Sequence, residues 1–112
     1  MSYQAAYDFL LIDDNQADIN ATAAVLQSTR YLRYLHIVKS KETAVAYLKR
    51  QGPFSKAKQP DIIFLSIYRS DSKGIGLLKW IKSDPEINHI PVVVLTAPNT
   101  NTDSLNPSIA IA

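Results

Sequence analysis

The sequence predicts an α/β fold with a parallel sheet, on three observations. Two apolar runs, Ile62 to Leu65 and Val92 to Leu95, have no polar alternation, the mark of strands buried on both faces. Elsewhere apolar residues recur at helical spacing. Strand and helix then alternate along the chain, an order that right-handed crossovers convert into neighbouring parallel strands.

Taken in order, Tyr7 to Ile12 is a short, mostly apolar strand that stops in the carboxylate-rich Asp13-Asp14-Asn15. Asn15 is a good N-cap, Asp18 favours the positive end of the helix, and Ile19, Thr22, Ala23 and Leu26 share one helical face as far as Ser28. Arg30 to Arg33 reads as a connection, and Leu35 to Val38 as a second strand. Ser40 caps a second helix through Ala44, Val45 and Leu48 that closes at Gly52. A polar, basic loop from Pro53 to Pro60 leads into the central strand. After Gly74 the spacing of Leu77, Leu78 and Ile81 predicts a third helix ending near Asp84 and Pro85. Ile90 to Leu95 is the fourth strand, entered at Pro91 and left at Thr96. From Pro98 the pattern fails: Asn99 to Asn106 favours caps and turns over helix. Ser108 to Ala112 is open between a stunted fifth strand reached by a parallel crossover and a frayed tail.

With 112 residues the chain makes one domain, residues 1–112, with room for a core. Twelve Lys and Arg against ten Asp and Glu leave a net +2, too little to demand an anionic partner. The absence of cysteine removes disulfides and thiolate metal sites. No apolar run approaches the ~20 residues of a membrane span and the start lacks a signal-peptide pattern, so the expected location is cytoplasmic. Arg30 to Lys58 holds eight of the twelve basic residues with only Glu42 against them. No recognition-helix or aromatic RNA-binding pattern accompanies it, so it reads as a solvated face and nucleic acid is not an expected partner.

In open α/β sheets chemistry gathers at the carboxyl ends of the strands. Asp13, Asp14, Ser66 and Thr96 all fall there. An adjacent carboxylate pair is a seat for Mg²⁺, though two aspartates before a helix also serve as caps or stay hydrated. His36 and His89 have no partner at metal-ligand spacing, which leaves them surface or loop roles, and Trp80 and the tyrosines read as packing residues.

The segments Leu10 to Asn15 with Ala17 and Asp18, Ala46 to Gly52, Pro60 to Leu65, Leu78 to Pro85 and Ile90 to Thr96 resemble the receiver domain of two-component response regulators. The resemblance covers residues 9–99 and leaves 100–112 as a divergent tail. The loop before the third strand and the passage Lys82 to Glu86 resemble single-domain regulators of bacterial phytochrome-type kinases. The resemblance implies a flavodoxin-like three-layer sandwich with strand order 2-1-3-4-(5), and a histidine kinase or other signalling protein as partner. It also implies a division of labour at the site. Asp13 and Asp14 match the acidic pair that holds Mg²⁺, the main-chain carbonyl of Tyr68 would complete that set, and Thr96 matches the hydroxyl that contacts the phosphoryl group.

Two departures stand out. Ser66 occupies the position of the phosphoacceptor aspartate, and no segment matches the strand and helix that carry the family's lysine and aromatic switch residue. A carboxylate attacks phosphohistidine to give a labile acyl phosphate, whereas a serine hydroxyl is a weak nucleophile without an activating base. Ser66 is also neutral, so Mg²⁺ loses an anionic ligand and the site should be weak. The expectation is a degenerate receiver, non-enzymatic, requiring no cofactor and acting by protein contact. A truncated or altered phosphorelay regulator is the alternative. A small nucleotide or flavin binder is a third reading, opposed by Asp13 and Asp14 standing where a phosphate loop would be. A sheet lacking its last helix forgoes several kcal/mol at ~25 cal/mol per Å², against a margin of about 5–15 kcal/mol. That predicts a homo-oligomer or a partner that completes the sheet.

Overall fold

Residues 6–67, 72–96 and 109–111 of the computed structural model are described below. β1 (Tyr7–Ile12) is buried from Asp8 to Ile12 and lies between two parallel neighbours, β2 (Leu32–Val38) and β3 (Ile62–Ile67). β3 in turn pairs parallel with β4 (Val92–Thr96), so the order is β2-β1-β3-β4-β5. The step from β1 to β2 runs the opposite way along the sheet from the steps to β3 and β4. Right-handed crossovers therefore place α1 (Gln16–Gln27) on one face and α2 (Lys41–Leu48) and α3 (Ser72–Ser83) on the other.

The side chains follow that division. Leu10, Ile12, Val38, Ile63, Leu65, Val92 and Val94 form one buried cluster with Ala44 and Leu48 of α2 and Leu77 and Ile81 of α3. Ile87 and Ile90 close it from the loop before β4, and Trp80 packs against its margin. By strand alternation Phe9 and Leu11 face the other way, where α1 buries Ile19 and Ala23 and Phe9 meets Phe64 edge-on at 5.1 Å. Apolar burial on both faces is why the central strands carry no polar alternation.

Helix ends obey local chemistry. Asn15 caps α1 by accepting the Asp18 N–H at 3.0 Å, and Ser40 caps α2 by accepting the Thr43 N–H at 3.1 Å. α2 ends earlier than its spacing toward Gly52 predicts. The Gln51 N–H donates to the Ala46 carbonyl and the Arg50 N–H to the Tyr47 carbonyl, a pair of bonds that closes the helix with Arg50 at φ 54. Gly52, also at positive φ, opens a short 3-10 turn (Gly52–Phe54) instead. An exposed arginine in the left-handed region is strained relative to glycine, so Arg50→Gly should stabilise the fold by about 0.5–1 kcal/mol in a urea titration.

β2 begins three residues before the run Leu35 to Val38 that signals it in the sequence. Tyr7 lies opposite Leu32 and Asp8 opposite Tyr34, so Arg33 is an extra residue, a bulge at the start of an edge strand. Its guanidinium reaches back across the sheet: Nε donates to Asp8 Oδ1 at 3.0 Å and an Nη to Oδ2 at 2.9 Å. Lys58 Nζ stands 3.6 Å from the same carboxylate, and the Asp8 N–H donates to Asp61 Oδ2. The forked Arg33 bond, above all, holds the buried Asp8 carboxyl below its ordinary value. A depressed carboxylate stabilises the fold above its unfolded value of 3.8 and stops doing so as the pH falls through its folded value. Asp8→Asn should therefore cost about 1–2 kcal/mol at neutral pH, a figure kept modest because the Arg33 side chain is 43% exposed. The difference from wild type should close in acid.

At the far edge, β5 (Ile109–Ile111) pairs antiparallel with β4, Leu95 opposite Ile109 and Val93 opposite Ile111. The fifth strand thus exists but does not arrive by a parallel crossover. Antiparallel neighbours, unlike parallel ones, need no crossover helix between them.

Candidate functional site

β1, β3 and β4 end side by side. Ile12 lies opposite Leu65, and the Asp13 N–H continues the ladder one step by donating to the Val38 carbonyl at 3.1 Å. Ser66 lies opposite Leu95, and Ile67 opposite Thr96. Asp13, Ser66 and Thr96 therefore occupy adjoining register positions on three neighbouring strands, the convergence that the sequence predicts. Asp14 follows Asp13 and is exposed. The Thr96 hydroxyl and the whole of Tyr68 lie outside the described residues.

The aspartates are not the helix cap, since Asn15 fills that role. Asp13 is 5% exposed, and its Oδ1 accepts the Asn15 N–H at 3.0 Å. Among the described residues its Oδ2 has no hydrogen-bond partner, and neither has the buried Ser66 Oγ. The Ser66 hydroxyl stands close enough to Asp13 to oppose the rise in its pKa, yet no bond of good geometry joins them. Burial is the main cause of that rise; the Asn15 N–H and Ser66 draw the carboxyl partly back, and the charges of Asp18 and Asp14 push it further up.

Two unsatisfied buried oxygens lie together at the carboxyl end of the sheet, and each costs about 1–3 kcal/mol if nothing pairs with it. A hard dication fits such a place, because Asp13 and Asp14 are oxygen donors and Mg²⁺ keeps several waters beside one or two carboxylates. The described residues contain no group of three or more His, Cys, Asp or Glu side chains able to hold a metal. Among the described residues, an ion here would rest on the two carboxylates and neutral oxygens.

Away from this site, His36 lies not in a loop but half-buried on the edge strand β2. It stacks on Tyr47 at 4.3 Å, with Phe54 edge-on at 5.9 Å, and burial lowers its pKa. No helix among the described residues is long and apolar enough to cross a membrane.

No protein-family model matches the chain. Individual relatives do. The response regulator Rcp1 of Synechocystis is 32% identical over 94 residues, 84% of this chain and 64% of the relative. The polar-differentiation response regulator DivK of Brucella anthropi is 23% identical over 79% of the chain and 64% of its own length. The chain thus spans 64% of these curated relatives. Among solved structures, the phosphorylated cyanobacterial phytochrome response regulator RcpA superposes with a TM-score of 0.75 at 33% identity, over 87% of this chain and 69% of that one. The Mn²⁺-bound form of Rcp1 gives 0.72 at 31%, over 85% and 69%. One residue in three shared with RcpA over more than two thirds of its length, on a doubly wound parallel sheet, makes this chain a member of the receiver-domain family of response regulators, related to those of phytochromes.

Proposed function

We propose that this receiver is a non-enzymatic docking module of two-component signalling that does not run a phosphorylation cycle. The observation that carries the reading is the Ser66 hydroxyl, buried without a partner beside Asp13 where the family resemblance puts the phosphoacceptor carboxylate. A serine becomes a nucleophile when a base takes its proton through a hydrogen bond, and the nearest candidate, Asp13, makes no such bond. The hydroxyl oxygen is also buried, which disfavours its attack on a phosphohistidine. Asp13 and Asp14, with the Tyr68 carbonyl, would hold a weakly bound Mg²⁺. No cofactor is required for the scaffold role.

In this reading the chain is one receiver domain whose residues 100–112 diverge from the family. Its partner is a histidine kinase or another signalling protein in the cytoplasm, and no nucleic acid is involved. Among the described residues no strand pairs with the outer edge of β5, which supports a homo-oligomer or a partner strand there. Light scattering tests that part, and a monomer at all concentrations would count against it. Phosphotransfer tests the central part: a radiolabelled phosphohistidine kinase should leave the wild-type chain unlabelled. Stoichiometric label on Ser66 would sink the proposal in favour of an altered but working phosphorelay regulator.

A further inference from the structure

The opposite pole of the sheet carries a second surface, one for which neither the core nor the acidic site has a use. Among the described residues five large hydrophobic side chains are exposed, and three of them are tyrosines at the amino ends of β1 and β2. Tyr34 is 71% exposed, Tyr31 44% and Tyr7 40%. Backbone pairing brings them to one end of the sheet. The Tyr7 N–H donates to the Tyr31 carbonyl at 2.8 Å, and Tyr34 lies opposite Asp8.

Three cations lie at the same end of the sheet. The Arg30 guanidinium sits over the Tyr31 ring, 5.3 Å from its centroid, and donates to the Tyr31 hydroxyl at 3.3 Å. Arg33 is clamped on Asp8 through two of its five N–H donors, which leaves three. Lys58, whose side chain is largely exposed, stands against the same carboxylate. Exposed tyrosine and arginine are the side chains that dominate protein interfaces, and here Arg33 is held by Asp8 while Arg30 lies over the Tyr31 ring.

We propose that Arg30, Tyr31, Arg33, Tyr34 and Lys58 form a docking surface for an acidic segment of a partner protein, one that sets a carboxylate among apolar side chains. The charge decides the class of partner. Arg33 and Lys58 share Asp8 and the exposed Asp61 adjoins it, while Arg30 pairs with no carboxylate among the described residues, so three cations face two carboxylates and the patch keeps a net +1. That excess suits one or two carboxylates set between apolar side chains lying on Tyr31 and Tyr34. A nucleic-acid strand would instead need a line of cations not already paired. The surface lies at the other end of the strands from Ser66, so the proposal stands whether or not Ser66 takes phosphate.

The test is selection of random dodecapeptides displayed on phage against the 112-residue chain, with binding measured by fluorescence anisotropy. The selected peptides should combine Asp or Glu with apolar residues. They should bind an Arg30→Glu, Tyr34→Ala double variant at least ~tenfold more weakly. Amide shifts in a ¹⁵N spectrum should cluster at residues 30–34 and 58. Both substituted side chains are exposed, and an unchanged melting temperature would confirm that the variant folds. Peptides without acidic residues, equal binding to the double variant, shifts centred elsewhere, or tighter binding of a (dT)12 oligonucleotide than of any selected peptide would each overturn the proposal.

Discussion

Ser66→Asp loses about 2–3 kcal/mol of stability at neutral pH in metal-free buffer and regains most of it when Mg²⁺ is added. The loss follows from placing a second carboxylate beside Asp13, which is buried and already has an unsatisfied oxygen. Two ionised carboxylates in a poorly hydrated site repel each other and forfeit solvation, so at least one is held protonated or the fold weakens. The same substitution gives a dication one more anionic ligand. Binding should tighten by at least ~tenfold, and a ligand at about 100 times its dissociation constant returns ~2.7 kcal/mol through linkage. Urea titrations of both chains with and without Mg²⁺ measure the two effects. If the variant gains no more from Mg²⁺ than the wild type, Ser66 does not face the Asp13 carboxylate as described. Incubating the variant with a phosphorylated kinase then separates a site lacking one residue from a site lost altogether.

The second large effect has the opposite sign. Asp13→Asn should stabilise the fold by about 1–2 kcal/mol at neutral pH without metal. Its amide oxygen can keep the bond from the Asn15 N–H, and its amide nitrogen replaces an unpartnered carboxylate oxygen beside the Ser66 hydroxyl. The pH dependence checks the cause. Burial raises the carboxyl of Asp13, so the folded chain holds that proton more tightly than the unfolded one. Folding is therefore penalised as the pH rises from the unfolded value of 3.8 through the higher folded value, and the penalty is complete at neutral pH. The advantage of the variant should be full at pH 7 and vanish below 3.8. Whatever stabilisation Mg²⁺ gives the wild type should be lost in the variant. Equal stability of the two chains at pH 7 would mean that Oδ2 has a partner after all.

Both results depend on a feature visible only in three dimensions. The sequence shows acids at one strand end and a serine at another; it does not show that their free oxygens are buried together and unbonded. The reverse holds for Arg33. In the sequence Arg30 to Arg33 reads as a connection, because an arginine interrupts the apolar pattern that signals a strand. In the fold that arginine is bulged from β2 and tied to Asp8, twenty-five positions away, so the strand starts at Leu32. His36 was hidden for a similar reason: its neighbours Tyr47 and Phe54 come from α2 and the turn after it.

By itself the sequence determined the order of strands and helices from β1 to β4, both side-chain caps and the convergence of Asp13, Ser66 and Thr96. Each of these follows from local periodicity, from a cap bonding an amide three residues on, or from the rule that parallel strands share one carboxyl end. Only the tertiary structure decided the direction of β5, the end of α2 at Arg50, the burial of the Asp13 and Ser66 oxygens, and the gathering of tyrosines and arginines at the far pole. These depend on which groups meet across long stretches of chain and which lose water when they do, and no window of neighbouring residues contains that information.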